Sequence, residues 1–274
     1  MITQNLHMHS TWDDGRNTVE EMILASKEAG LESVGVSVHS PLPFENEWGC
    51  PKERLPEYIA EVRALQKKYA GRIGVYLGIE WDVCSADVDL SPYDYVIGSA
   101  HVLPLGGNPS VDESAEATAR MLAEHFGGDA DAAAEMYFAE LERVAKEPRA
   151  QIVGHFDLLT KFDQTHHFFD ENSPRYQRAA RRAMEKLVRA GKIFEVNTGA
   201  ISRGYRTSPY PSMQWLRLLR GMGGRVTVSA DAHHTGGVTC AFDMAQRLIR
   251  EAGFAEIWAL EGREFVPVRL AERI

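Results

Sequence analysis

A chain of 274 residues with 44% hydrophobic content can bury one sizeable core, and one barrel domain of about this length is ordinary. Thirty-nine acidic against 30 basic residues give a net charge of −9, which argues against a broad nucleic-acid-binding surface and for a small-molecule partner. Cys50, Cys84 and Cys240 are odd in number and lack CxxC spacing, which fits reduced thiols in a cytoplasmic protein, and no secretion signal, anchor or run of about 20 apolar residues is visible.

Residues 2–6 form an apolar run into His7, with His9 two residues on and Asp14 shortly beyond. On a strand, side chains at i and i+2 share a face, so His7 and His9 can chelate one ion together. Thr18 and Glu21 make a capping box for the first helix, Val19, Met22, Ile23 and Ala25 supply its apolar stripe, and Gly30 stops it. Residues 33–38 then run into His39, a second helix covers 54–69, residues 73–79 run into Glu80, and residues 95–100 into His101. Two helices, 112–126 and 129–146, parted by Gly127-Gly128, form a helical insertion around 112–146 placed to cover one side of a site. Residues 151–154 run into His155, and a helix follows at 174–190. Residues 192–196 end in Asn197-Thr198-Gly199, a helix covers 212–221, residues 225–230 run into Asp231, and the last helix covers 240–251. The change of period from 2 to 3.6 between runs is that of βαβ units, an α/β single domain built on seven parallel strands. Arg175, Arg178, Arg182, Lys186 and Arg189 line one helix face, read as a solvated outer surface.

Side chains at the C-terminal ends of parallel strands converge on one face of a barrel. His7, His9, Asp14, His39, Glu80, His101, His155, Asp231 and His233 therefore predict a polynuclear metal site. One histidine after one strand is ordinarily a hydrogen-bonded structural residue; six of the ten histidines placed this way make the case. His125 lies in a helix, His166 and His167 in a polar loop, and His234 just past a ligand. Imidazole suits zinc, iron or manganese, and the carboxylates of Glu80, Asp231 and Asp14 can bridge ions, so several divalent ions can share the site. No Ser-His-Asp or Cys-His order and no GxxxxGK[ST] loop is present, so hydrolysis by metal-bound hydroxide is the expected chemistry.

His7-Met8-His9-Ser10 with Asp14-Gly15, followed in order by His39, Glu80, His101, His155 and Asp231-Ala232-His233, resembles the PHP (polymerase and histidinol phosphatase) superfamily over residues 7–233. Further stretches, His39-Ser40-Pro41-Leu42-Pro43-Phe44, Gly154-His155-Phe156-Asp157-Leu158-Leu159, Glu195-Val196-Asn197-Thr198 and Tyr210-Pro211-Ser212, are similar to its monofunctional histidinol-phosphate phosphatase branch. The resemblance implies a distorted (βα)7 TIM-like barrel that hydrolyses L-histidinol phosphate in histidine biosynthesis. It also implies a first ion on His7, His9, Glu80 and Asp231, with Glu80 bridging to a second on His101 and His155, and a third on Asp14, His39 and His233. An alternative within the same chemistry is a phosphatase for another small phosphate ester; alternatives in other classes are a nuclease or polymerase-associated proofreading module and a non-catalytic metal-binding protein. Asn5 and Val38 stand where the family commonly has aspartate, at positions expected near the ligands, where a carboxylate would orient a histidine.

Catalysis is expected to fall to Glu80, Asp231 and His233 among the ligands, joined by cations that hold the phosphate. Arg203 and Arg206, in the loop after the Asn197-Thr198-Gly199 strand end, are the expected clamp, because guanidinium binds phosphate bidentately. Lys161, shortly after His155, is the next candidate. The partner is thus a small phosphate ester, with neither nucleic acid nor membrane expected; oligomeric state is not legible.

Overall fold

The structure, a computed structural model, describes residues 2–270. Seven strands follow in chain order: β1 (Gln4–Asn5), β2 (Ser33–His39), β3 (Gly74–Asp82), β4 (Tyr95–Ser99), β5 (Ile152–Val153), β6 (Ile193–Asn197) and β7 (Arg225–Ser229). Every adjacent pair is parallel, in the order of the chain. Parallel strands are buried on both faces and so read as near-continuous apolar runs; in β2 every residue after Ser33 is buried. The sheet nearly closes at its upper end, where Met8 bridges Ala232 and the His9 N–H donates to the Ala232 carbonyl at 2.9 Å. This seam sets the His7-Met8-His9 segment beside Asp231-Ala232-His233.

The helices are α1 (Val19–Glu28), α2 (Leu55–Tyr69), α3 (Ala115–Phe126), α4 (Ala130–Leu141), α5 (Asp163–His166), α6 (Pro174–Arg189), α7 (Gly199–Ser202), α8 (Met213–Gly221) and α9 (Phe242–Glu251). The capping box at α1 is present: Thr18 Oγ1 accepts the Glu21 N–H and Glu21 Oε2 accepts the Thr18 N–H at 2.8 Å. Helices α3 and α4 fall between β4 and β5, where one crossover helix would suffice. The basic face of α6 is not simply solvated. Arg175 pairs with Asp129 and Glu135, and Arg182 and Lys186 pair with Glu142, so charge at that face docks α6 against α4 and the turn after it. None of the described helices is long and apolar enough to cross a membrane.

The barrel floor was not foreseen from the chain. An antiparallel hairpin, β8 (Glu256–Glu261) and β9 (Glu264–Arg269), lies beneath it. Gln4 holds the hairpin by donating to the Leu260 carbonyl at 3.0 Å and accepting its N–H at 2.8 Å. Leu260 packs with Leu6, Tyr95, Ile97 and Ile152 inside the lower barrel. Tyr95 crosses that space and donates to the Leu6 carbonyl, and Gly35 and Gly78 admit its phenol; a Cβ on Gly35 would lie 2.2 Å from the hydroxyl oxygen and one on Gly78 2.2 Å from the ring.

Candidate metal centre

All nine expected ligands lie at or just beyond the upper strand ends, and the structure brings them together in one cluster. His7 and His9 point into the barrel mouth on either side of the buried Met8, as the two-residue strand period requires. Their Nε2 atoms lie 3.2 and 3.6 Å from Glu80 Oε2, and 3.7 and 3.3 Å from Asp231 Oδ1. Four bonds of about 2.1 Å in tetrahedral array would hold donor atoms about 3.4 Å apart. The other Glu80 oxygen, Oε1, lies 3.3 Å from His101 Nε2 and 3.0 Å from His155 Nε2, which are 3.2 Å from each other. Glu80 therefore serves two donor sets, one with each oxygen. Asp14 lies 3.2 Å from His233 Nε2 and 3.8 Å from His39 Nε2, which gathers a third set. His39 also turns Nδ1 to Glu80 Oε2 at 2.9 Å.

The far sides of three imidazoles are held by carboxylates: His7 Nδ1 by Glu195 at 2.6 Å, His9 Nδ1 by Asp13 at 2.7 Å, and His101 Nδ1 by Asp82 at 3.0 Å. Each such bond puts the proton on Nδ1 and leaves a bare lone pair on Nε2. In that tautomer the Nε2 atoms of His7, His9 and His101 present lone pairs toward Glu80. His7 Nε2, His9 Nε2, His39 Nδ1 and Glu80 Oε2 are buried without any hydrogen-bond partner. Orphaned buried polar atoms of this kind cost free energy unless a cation joins them, so the residues fit divalent ions. The electrostatics agree. Burial works against charge on His7, yet Glu195, Glu80 and Asp231 outweigh it and hold its pKa well above the ordinary imidazole value. Burial likewise opposes charge on His9, but Asp13 and then Asp231 and Asp14 raise it to about 10. On Glu80 burial is outweighed by His7, His39 and His101, which keep it well below the usual carboxylate range. The pocket demands positive charge.

Two backbone features make the approach possible. Asp231 follows β7 at φ +46°, a left-handed conformation that aspartate tolerates better than most residues. Gly199 faces it, and a Cβ there would lie 2.8 Å from the Asp231 carboxylate.

The PHP domain family model matches residues 5–199. This chain belongs to the PHP domain family. Among its curated relatives, the Deinococcus radiodurans protein named "Probable histidinol-phosphatase" is 29% identical over 262 residues, covering 90% of this chain and 92% of the relative. A Schizosaccharomyces pombe protein of the same name is 26% identical, with 95% and 89% covered. Among solved structures, the histidinol phosphate phosphatase of Lactococcus lactis, complexed with zinc, L-histidinol and phosphate, superposes with a TM-score of 0.75 at 20% identity, over 96% of this chain and 98% of that one. It has the same fold.

The PHP barrel opens into a cavity of about 750 Å³ above the cluster. Arg203 and Lys161 line it, and Arg206 does not. The expectation for Arg206 is corrected: its guanidinium is buried, donates to the Thr160 carbonyl at 3.1 Å and to the Thr160 hydroxyl, and lies over the Tyr210 ring at 4.5 Å. It pins two loops together and is not part of the cavity lining. Arg203 reaches Asp231 Oδ2 at 3.1 Å and His233 Nδ1 at 2.8 Å, so it braces two expected ligands from the cavity wall. His233 Nδ1 also lies 3.0 Å from the Asp231 carbonyl. Donating there frees Nε2 for a metal, whereas accepting from Arg203 leaves the proton on Nε2. Lys161 pairs with Asp112 at 2.9 Å and is mostly buried, unlike an ordinary loop lysine.

Asn5 and Val38 prove to have other work. Asn5 Oδ1 accepts the N–H groups of His7 and Ala230 at 3.1 Å each, and its Nδ2 donates to the Val238 carbonyl, a bond an ionised carboxylate could not make. Val38 is core. The carboxylates that orient the rings are Asp13, Asp82 and Glu195, none of them among the site residues expected from the sequence. Signals existed: Glu195 is the lone acid in an apolar strand, and Asp82 shares a strand face with Glu80.

Proposed function

We propose that this PHP protein is a metal-dependent phosphomonoesterase that converts L-histidinol phosphate to L-histidinol and phosphate, in the cytoplasm. The observation that carries the reading is the double-ended Glu80, with separate donor sets at its two oxygens. His7, His9, Glu80 and Asp231 would hold one ion, Glu80, His101 and His155 a second, and Asp14, His39 and His233 a third. Zinc, manganese and iron all suit this mixture of imidazole and carboxylate. When bound, such ions activate water at neutral pH and neutralise charge on a phosphoryl group. The chain's own cations, Arg203 and Lys161, line the cavity where the ester's phosphate would approach, and each can donate to its oxygens. Asp13, Asp82 and Glu195 keep three ligand rings in the tautomer that binds metal. The names of the two full-length relatives, and the L-histidinol and phosphate in the Lactococcus complex, support the choice of ester.

The test is a turnover screen of small phosphate monoesters on protein whose metal content has been measured. L-histidinol phosphate should give the highest kcat/KM in protein carrying two to three ions per chain, and chelation should abolish turnover. One ion or fewer in fully reconstituted protein, or no preference for this ester, would overturn the assignment.

A further inference from the structure

One wall of the cavity is aromatic and takes no part in the chemistry just described. Residues 44–49, between β2 and α2, are drawn into a tight turn by Asn46. Its carboxamide oxygen accepts the N–H groups of Trp48 at 3.2 Å and Gly49 at 2.5 Å, and its nitrogen donates to the Phe44 carbonyl at 3.2 Å. The chain passes so close that a Cβ on Gly49 would lie 2.9 Å from Asn46 Oδ1 and 3.1 Å from the Ser40 carbonyl. This turn sets the Trp48 indole edge-on against His39, with ring centroids 4.8 Å apart at 78°, and 5.3 Å from His101. Both imidazoles belong to the proposed metal centre, and Trp48 lines the cavity beside them.

Trp12 and Trp215 donate their indole N–H groups to Glu61 and Glu171. Trp48 is half-buried, and its indole N–H has no partner among the described residues. Glu45 and Glu47 line the same mouth, are exposed, and have no ion-pair partner among the described residues. A flat apolar face with a spare donor and two free carboxylates beside it suits a planar nitrogen ring that can carry positive charge.

We propose that Trp48 is a specificity-determining wall: the imidazole ring of the ester packs on the indole while the phosphate lies toward the metal ligands, and Glu45 and Glu47 favour a cationic organic part. This rests on the phosphatase reading and adds recognition of the ring. It concerns the organic half of the substrate, which the metal ligands do not touch.

The experiment compares Trp48→Ala and Trp48→Phe with wild type, as metal-loaded full chain, on L-histidinol phosphate and on the ringless glycerol 3-phosphate. Loss of a ring contact and its buried area should lower kcat/KM for the ring-bearing ester by roughly tenfold, mainly through KM. The loss on glycerol 3-phosphate should be severalfold smaller, and Trp48→Phe should recover most of it. L-Histidinol should quench indole fluorescence in wild type and not in Trp48→Phe. Equal losses on both esters, or losses that follow metal content, would mean that Trp48 only buttresses His39 and His101, and would overturn the wall. So would an unchanged KM for L-histidinol phosphate. Wild-type protein inactive on both esters would instead overturn the phosphatase reading, and the wall with it.

Discussion

Glu195 is the most demanding test of how the ligands are oriented. Its carboxylate is fully buried and surrounded by donors alone. Oε1 faces His7 Nδ1 at 2.6 Å and the Ser229 hydroxyl; Oε2 faces the His155 N–H at 3.0 Å and Asn197 Nδ2 at 2.8 Å. Glu195→Gln keeps the shape but must place an NH2 group at one end. At the Oε2 end it would meet a backbone N–H and an amide whose own oxygen is engaged by Gly199 N–H, so neither can turn round. Two unmade bonds there cost about 1–3 kcal/mol each. At the Oε1 end Ser229 can rotate, and His7 can accept from the new amide by moving its proton to Nε2, where Glu80 Oε2 stands 3.2 Å away. The second arrangement is cheaper, and it blocks the ligand nitrogen of His7.

The variant should therefore fold, and its metal-free form should melt within a few degrees of wild type. Its tightest metal site should weaken by about 10- to 100-fold, or about 1.4–2.7 kcal/mol. Competitive titration against a chromophoric chelator measures the affinity, and melting with and without metal shows the stabilisation by metal shrinking. Affinity within twofold of wild type, with normal turnover, would refute the argument that Glu195 sets the His7 tautomer.

Glu80→Gln should reduce turnover more than loss of any one histidine, because an amide cannot bridge two cations; normal metal content with most activity retained would remove Glu80 from that role. Lys161→Ala and Arg203→Ala should each lower kcat/KM by roughly 30- to 1,000-fold in steady-state kinetics, while Arg206→Ala should lower the melting temperature by several degrees and leave kcat/KM within about threefold. The reverse pattern would restore Arg206 as the clamp. At Asp163, burial raises the carboxyl from 3.8 to about 7 against the pull of the Phe168 N–H, and one of its oxygens has no partner. The folded form thus binds the proton more tightly than the unfolded chain, so this group's contribution to stability falls as pH rises from about 4 to about 7. Asp163→Asn should raise the melting temperature by a few degrees more at pH 8 than at pH 4.5, by scanning calorimetry; an equal or smaller gain at pH 8 would contradict the shift.

The cluster of candidate ligands was legible in the chain because strand period and strand ends are local properties. Apolar runs that stop at His7, His39, Glu80, His101, His155 and Asp231 state both the parallel barrel and the face on which these residues meet. The capping box at Thr18 and the HxH spacing needed no tertiary information either. The supporting carboxylates were hidden because their role depends on distance across the fold: Glu195 serves His7 from 188 residues away. Asn5 looks like a missing carboxylate in the sequence alone, but the N–H groups of His7 and Ala230 require an acceptor there and the Val238 carbonyl requires a donor.

The two arginines of the 203–206 loop show most clearly where sequence stops. Both stand near a strand end and carry the same guanidinium, but the chain turns between them, with Gly204 at φ +77°. One then lines the cavity and the other is buried against Thr160 and Tyr210. Residue type and spacing determined which chemistry the chain can perform; the direction of each side chain at a turn, and the partner waiting there, were decided only by packing.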